Sequence, residues 1–441
     1  MPQGLTIVAA IRPGDEERLR GALRPLGDDI RGRRLADPSQ PPRIDFSRMR
    51  GCHFARFAIL DDPDRGPDCR RLLYSSNYDG DLEDHIAELA AATPDIDAIW
   101  GCCEAYTNRA RFGEFLRAQR VLPEAFYIAF RGQTVAQVRQ MVALRRAADS
   151  VLAQGAGAAA SARSLEPAPG GARNPAPTAI AGRVVREAPG RGAVARVVRA
   201  LPIVIDVLWA TVRCGFSNVV LGARRITAGL DRYTLLRWFN RLTRNRAPST
   251  EPIYSSADLD SCAAPVPIVP GDEFPLAQHR LPPGFREDVV AQNQLTVVTV
   301  VRPGLENRVR AVMSAIDSYA RRLAPDGSLL GVSTIHFVRW VLLDDGRRLM
   351  MLSDYDGAWE AYIDEFAEMI LSGLDAIWDT SFGYPPQGAR DLPAFKQFLR
   401  NHQVPSEVFY SAYPDETVLN IRNDRTFSAS LDNPRAGGPA Q

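Results

Sequence analysis

Two histidines, two arginines and a set of carboxyl and carboxamide side chains recur at matching places in two distant stretches of this chain, and chemistry would be built from them. His53 and Arg56 stand in HFARF, and His336 and Arg339 stand in HFVRW. Downstream come SNYDG at 76–80 and SDYDG at 353–357, which supply Asn77 or Asp354, Tyr78 or Tyr355, and Asp79 or Asp356. An arginine inside an apolar strand is costly unless paired, so Arg56 and Arg339 imply either a buried Arg–Asp pair or a cavity that takes an anion or small ligand. His53 and His336 read as hydrogen-bonded core residues or as metal or haem ligands. Asp79 and Asp356 lie where a strand hands over to a helix, which suits an N-cap or a functional carboxylate.

A hairpin must position these groups. Asp345-Gly346 lies between two β-rich runs at 336–343 and 348–355 and is a strong two-residue turn signal. That turn puts Arg339 opposite Leu352 and His336 opposite Tyr355. Side chains alternate between faces, so Arg339, Asp354 and Asp356 are expected on one face and His336, Ser353 and Tyr355 on the other. The catalytic candidates are therefore Arg56, Asp79, Arg339, Asp354 and Asp356, and the cofactor-binding candidates are His53, His336, Tyr78 and Tyr355.

The matches extend beyond these motifs. TIVAAIRPG and TVVTVVRPG end at Gly14 and Gly304; DAIW recurs at 97–100 and 375–378; FLR, FY and TV recur at one common offset. Collinear matches of this kind indicate an internal duplication. Each copy reads strand, helix, strand, strand, helix, strand, the order of a ferredoxin-like βαββαβ unit. Such a sheet has helices on one face only, and a second copy can cover the other. The expected fold is α+β: two repeats packed as an intrachain dimeric α+β barrel, with a basic helical insert between them. The expected divisions are 1–152 and 291–433 for the repeats, an Ala/Pro/Gly/Arg-rich disordered linker at 153–192, the insert at 193–247, a Pro-rich linker at 248–290 and a disordered tail at 434–441.

Composition narrows the classes. A charge of +1 from 53 basic and 52 acidic residues exerts no global pull toward nucleic acid. Six cysteines without CxxC spacing suggest neither a disulfide framework nor a zinc site, and no metal is expected. The start lacks the pattern of a signal peptide, so the expected location is cytoplasmic, peripheral on the inner face of the membrane. No GxxxxGK[ST], GxGxxG, GxSxG or HExxH motif is present, which removes several nucleotide, hydrolase and protease chemistries.

The insert breaks the overall charge balance. Residues 191–246 hold eleven arginines against two acids, interleaved with aromatics. Arg196, Arg199, Trp209, Arg213, Arg224, Arg225, Arg237, Trp238, Phe239 and Arg241 form the expected contact set for an anionic membrane surface. The alternative is a helical subdomain docked on the barrel. Nucleic acid is not expected as a partner, since no reading module surrounds the patch.

The strings EDVVAQNQLT, STIHFVRWVLLDD, SDYDG and FYSAYPDETV resemble those of an uncharacterised bacterial family of duplicated ferredoxin-like proteins. The plan is also similar, more distantly, to dye-decolourising peroxidases and chlorite dismutases. That likeness implies haem held by His336, with Asp79 or Asp356 and Arg56 or Arg339 handling peroxide, although Ser76 and Ser353 replace the first glycine of the peroxidase GxxDG signature. Two functions fit these residues. One is an accessory or binding protein with a small-molecule site in the barrel and a membrane-attached insert; the other is a haem-dependent peroxidase-like oxidoreductase.

Overall fold

The apolar runs become strands buried on both faces, as near-continuous Val, Ile and Leu sequences require. The computed structural model describes residues 2–35, 46–62, 65–66, 68–93, 96–163 and 291–432. The first stretch runs β1 (Gln3–Ala10), α1 (Glu16–Leu35), β2 (Cys52–Asp61), β3 (Arg70–Tyr78), α2 (Leu82–Ala92), α3 (Ile96–Trp100), α4 (Phe112–Ala118), β4 (Ala125–Ile128) and α5 (Val135–Arg163). The second runs β5 (Gln292–Val300), α6 (Glu306–Arg322), β6 (Ile335–Leu343), β7 (Arg348–Asp356), α7 (Trp359–Trp378), α8 (Leu392–His402), β8 (Ser406–Ser411) and α9 (Val418–Asp432). Helix α7 is kinked at Ile370. Helix α5 continues to Arg163, beyond the expected linker start at 153, through an alanine-rich run of high helix propensity. The remaining linker, the insert and the tail fall outside the described residues.

Two four-stranded antiparallel sheets result, in the orders β1-β3-β2-β8 and β4-β6-β7-β5. Neither is closed by its own stretch. Strand β8 pairs with β2, and β4 pairs with β6, so each stretch gives its last strand to the other sheet. The outer edge of β1 is met by the chain after α4, where Val121 N–H donates to Thr6 O at 2.9 Å, and Val404 N–H does the same to Thr296 O of β5 at 2.8 Å.

The sheets lie face to face. Ala58, Leu60 and Leu73 from one meet Val298, Val341, Leu343, Met350 and Leu352 from the other in one buried cluster. The opposite faces are covered by helices: Leu19, Leu23, Ile86, Leu89 and Trp100 pack on Leu5, Ile7, Phe57 and Tyr74, while Val312, Ile316, Phe366 and Trp378 pack on Val338, Trp340 and Met351. The layers are helix, sheet, sheet, helix. At the hairpin end, Arg71 grips Asp344 with two hydrogen bonds, at 2.9 and 3.2 Å, and Arg348 reaches the same carboxylate at 2.5 Å, tying the sheets together by charge.

Candidate functional site

The hairpin register holds along most of its length and slips where it matters most. Leu343 faces Arg348 and Arg339 faces Leu352, as the turn predicts. A β-bulge then inserts His336, so Tyr355 pairs with Ile335 instead. His53 occupies the same kind of bulge between Cys52 and Phe54. A bulge re-aims one side chain and breaks strict alternation. The expectation that His336 points away from Arg339 is thereby overturned: His336 Nε2 meets Asp356 Oδ1 at 2.7 Å, and Asp356 shares the inter-sheet face with Asp354 and Arg339.

Arg56 and Arg339 each reach across to the opposite sheet, and this is the pairing that hairpin reasoning missed. Arg56 Nη1 donates to Gln294 Oε1 (3.1 Å), Leu295 O (3.1 Å) and Thr296 Oγ1 (3.2 Å). Its Nη2 donates to Ser353 O (2.9 Å) and to the Asp354 carboxylate. Arg339 Nη1 donates to Leu5 O (2.9 Å) and Thr6 Oγ1 (3.2 Å), and its Nη2 to Ser76 O (2.7 Å) and Asn77 Oδ1. The two sets mirror each other residue for residue, with two differences. Gly4 stands where Gln294 does, and a Cβ there would collide with the Arg339 guanidinium and crowd Phe126, whose ring lies under that guanidinium at 5.1 Å. Asn77 stands where Asp354 does, and its Nδ2 donates to Asp354 Oδ2 at 2.7 Å. One carboxylate therefore serves two buried arginines. Burial pushes the Arg339 guanidinium down to about 10, which leaves it cationic at neutral pH.

Next to this layer sit two histidine–aspartate dyads, each tied to a helix. His53 Nε2 lies 3.1 Å from Asp79 Oδ1, and Asp79 Oδ2 accepts Val135 N–H at 2.8 Å. Asp356 Oδ2 accepts Val418 N–H at 2.7 Å. Both aspartates are caps, but of α5 and α9 at the far end of their own stretches. The helices that follow them directly start otherwise, α2 with Asp81 bonding Glu83 N–H and α7 without a side-chain cap. A carboxylate only accepts, so Nε2 of His53 donates to Asp79, while Nδ1 lies 2.7 Å from the Tyr413 hydroxyl. Burial, then Asp79, push the Tyr413 phenol well above its ordinary range. Gln292 joins the second dyad, accepting from Ser411 at 2.6 Å and donating to Glu416 O at 2.5 Å.

Tyr78 and Tyr355 do not join the others. They point to the helix side, where Tyr78 stacks on His85 at 4.0 Å and Tyr355 on Tyr362 at 3.9 Å. His85 is held by Ser76 at 2.8 Å, and burial pushes its imidazole down to about 3. Of the residues that complete the inter-sheet layer, Thr6, Gln292, Gln294, Ser411 and Tyr413 were not singled out from sequence. Polar residues at alternate positions of an otherwise apolar β5 were the available signal.

The described residues around His53 and His336 do not fit a haem. His53 has both ring nitrogens engaged, His336 holds Asp356 through Nε2, and the rings of Phe337 and Phe54 lie beside the two imidazoles at 5.3 and 5.2 Å. Arg56 and Arg339 are each 2% exposed and aimed at protein acceptors. Among the described residues no group of three or more His, Cys, Asp or Glu is placed to hold a metal ion. Among them also no helix is long and apolar enough to cross a membrane. The arginines and aromatics of 196–241 lie outside the described residues. No family model, curated protein or solved structure matches the chain.

Proposed function

We propose that this chain is a non-enzymatic accessory protein: an internally duplicated, intrachain dimeric α+β barrel that carries the basic stretch 193–247 to an anionic membrane surface. The scaffold half of this reading is supported by one observation. The groups with the most chemical potential, Arg56, Arg339 and Asp354, are buried between the sheets and hydrogen-bonded to the opposite sheet. A catalytic arginine or carboxylate needs a direction open toward its substrate; these are aimed at the protein itself. Duplication is supported by the mirrored contact sets of Arg56 and Arg339, which fall on residues matched by the sequence repeat. With the inter-sheet layer acting as a lock, any binding falls to outer surfaces and to the intervening stretch.

The membrane half is supported by charge. Residues 191–246 hold eleven arginines, each worth about 1 kcal/mol near an anionic surface, against only two opposing acids. Flotation on vesicles of mixed neutral and anionic lipid tests it. The intact protein floats with anionic vesicles, less so as salt screens exposed charge over about 8 Å, and replacing Arg196, Arg199, Arg213, Arg224 and Arg225 by glutamine reduces the floated fraction sharply. Failure of the intact protein to float, or flotation unchanged by the replacements, refutes the membrane assignment.

A further inference from the structure

Asp97 and Asp375 hold equivalent places in the two stretches. Each precedes a fully buried tryptophan by three residues, Trp100 and Trp378, and each accepts the hydroxyl of a tyrosine nine residues later, Tyr106 and Tyr384. Their surroundings then diverge. Asp375 is covered by the chain's own turn after Tyr384, in which Ala389 N–H donates to Asp375 Oδ1 at 2.9 Å. The turn sits so closely on the carboxylate that a Cβ at Gly388 would collide with it, and Gly388 holds a φ of +68° that favours glycine.

Among the described residues the first stretch has no such cover. It has eight residues between Tyr106 and Phe115, against thirteen between Tyr384 and Phe398. Asp97 is exposed, and an open groove of about 480 Å³ lies over it, walled by Arg12, Gly101 and residues 106–110. Arg12 forms one wall, donating to Gly101 O at 2.8 Å and Tyr106 O at 2.9 Å, and Arg109 lies on the rim, donating to Thr93 O at 3.4 Å and to Ala90 O. The depression is shallow and open to solvent, a surface that a turn can lie against rather than a cavity that encloses a ligand.

We propose that this groove binds a glycine-containing peptide turn from a partner protein, which donates a backbone N–H to Asp97 as Ala389 does to Asp375. The occupant is identified by chemistry: the carboxylate demands an N–H donor, and the close approach seen at Asp375 demands glycine before it. The reading does not depend on membrane attachment.

The probe is a capped peptide copying 385–391, Pro-Pro-Gln-Gly-Ala-Arg-Asp, titrated into the full-length protein and followed by amide shifts or calorimetry. Saturable binding is expected. Asp97→Ala weakens it about tenfold or more, the loss of a hydrogen bond to a charged acceptor. A peptide with alanine in place of its glycine, which needs no change to the protein, weakens it similarly. No saturable binding to the intact protein at millimolar peptide, or equal binding of the glycine and alanine peptides, overturns the assignment.

Discussion

Exchanging Asn77 and Asp354 perturbs the polar layer without changing its composition. Natively, Asn77 accepts from Arg339 and donates to Asp354 at 2.7 Å, so no two carboxylates meet. D354N removes the carboxylate that faces Arg56, a guanidinium 2% exposed, and breaking a buried pair from one side costs about 3–5 kcal/mol. N77D gives Arg339 a carboxylate but sets two carboxylates in contact, a repulsion of about 4 kcal/mol at about 4 Å and an effective dielectric of about 20. The new attraction to Arg339 offsets part of this, and a net loss of about 1–3 kcal/mol is expected. Two carboxylates in contact share a proton, which raises one folded-state pKa above its unfolded value. The folded state then binds more protons, so N77D loses stability as pH rises from 5 to 8 relative to the native chain. In the double exchange the carboxylate at position 77 faces Arg339 while the amide at position 354 donates to it, which restores the mirror image of the native layer. Urea unfolding followed by tryptophan fluorescence, at pH 7 and again at pH 5, should show the double variant more stable than the sum of the single losses by about 2 kcal/mol. Losses that add within about 0.5 kcal/mol, or an N77D variant with native pH dependence, would refute the network.

Two more outcomes follow from the same packing. Gly4→Ala drives a methyl into Arg339 and Phe126 and should cost about 1–3 kcal/mol, as overpacking does, read as a drop in the unfolding midpoint; an unchanged midpoint means the guanidinium relaxes freely. His85, with its folded pKa pushed down to about 3, stays neutral while the unfolded chain takes up a proton near 6.5, so it contributes a stability loss as pH falls from about 6.5 toward 3. H85Q should flatten that part of the stability profile by up to about 1.4 kcal/mol per pH unit, and a slope identical to the native one would show that His85 is protonated in the folded state.

The elements and their order were legible in the sequence because each depends on local signals. The apolar run before Pro303-Gly304 is a strand, and Asp345-Gly346 ends one strand and starts the next with Arg339 opposite Leu352. The pairing of a basic and an acidic residue inside apolar strands also announced a buried ion pair, since neither survives alone in such a place. What sequence could not reveal was the partner. Arg339 and Asp354 sit on one face of one hairpin, yet Arg56 takes Asp354 and Arg339 takes Asn77, because an arginine side chain is long enough to cross the gap between sheets and finds carbonyl acceptors there. The exchange of β4 and β8 between sheets is likewise a tertiary decision, since an edge accepts any strand whose ladder fits it. The bulges at His53 and His336 turned both imidazoles to the inner face, where Asp79 and Asp356 already cap the last helices. Local spacing thus determined which residues lie in strands and helices, while the meeting of two sheets determined which charges touch, because burial leaves a charge only those partners that the opposite surface supplies.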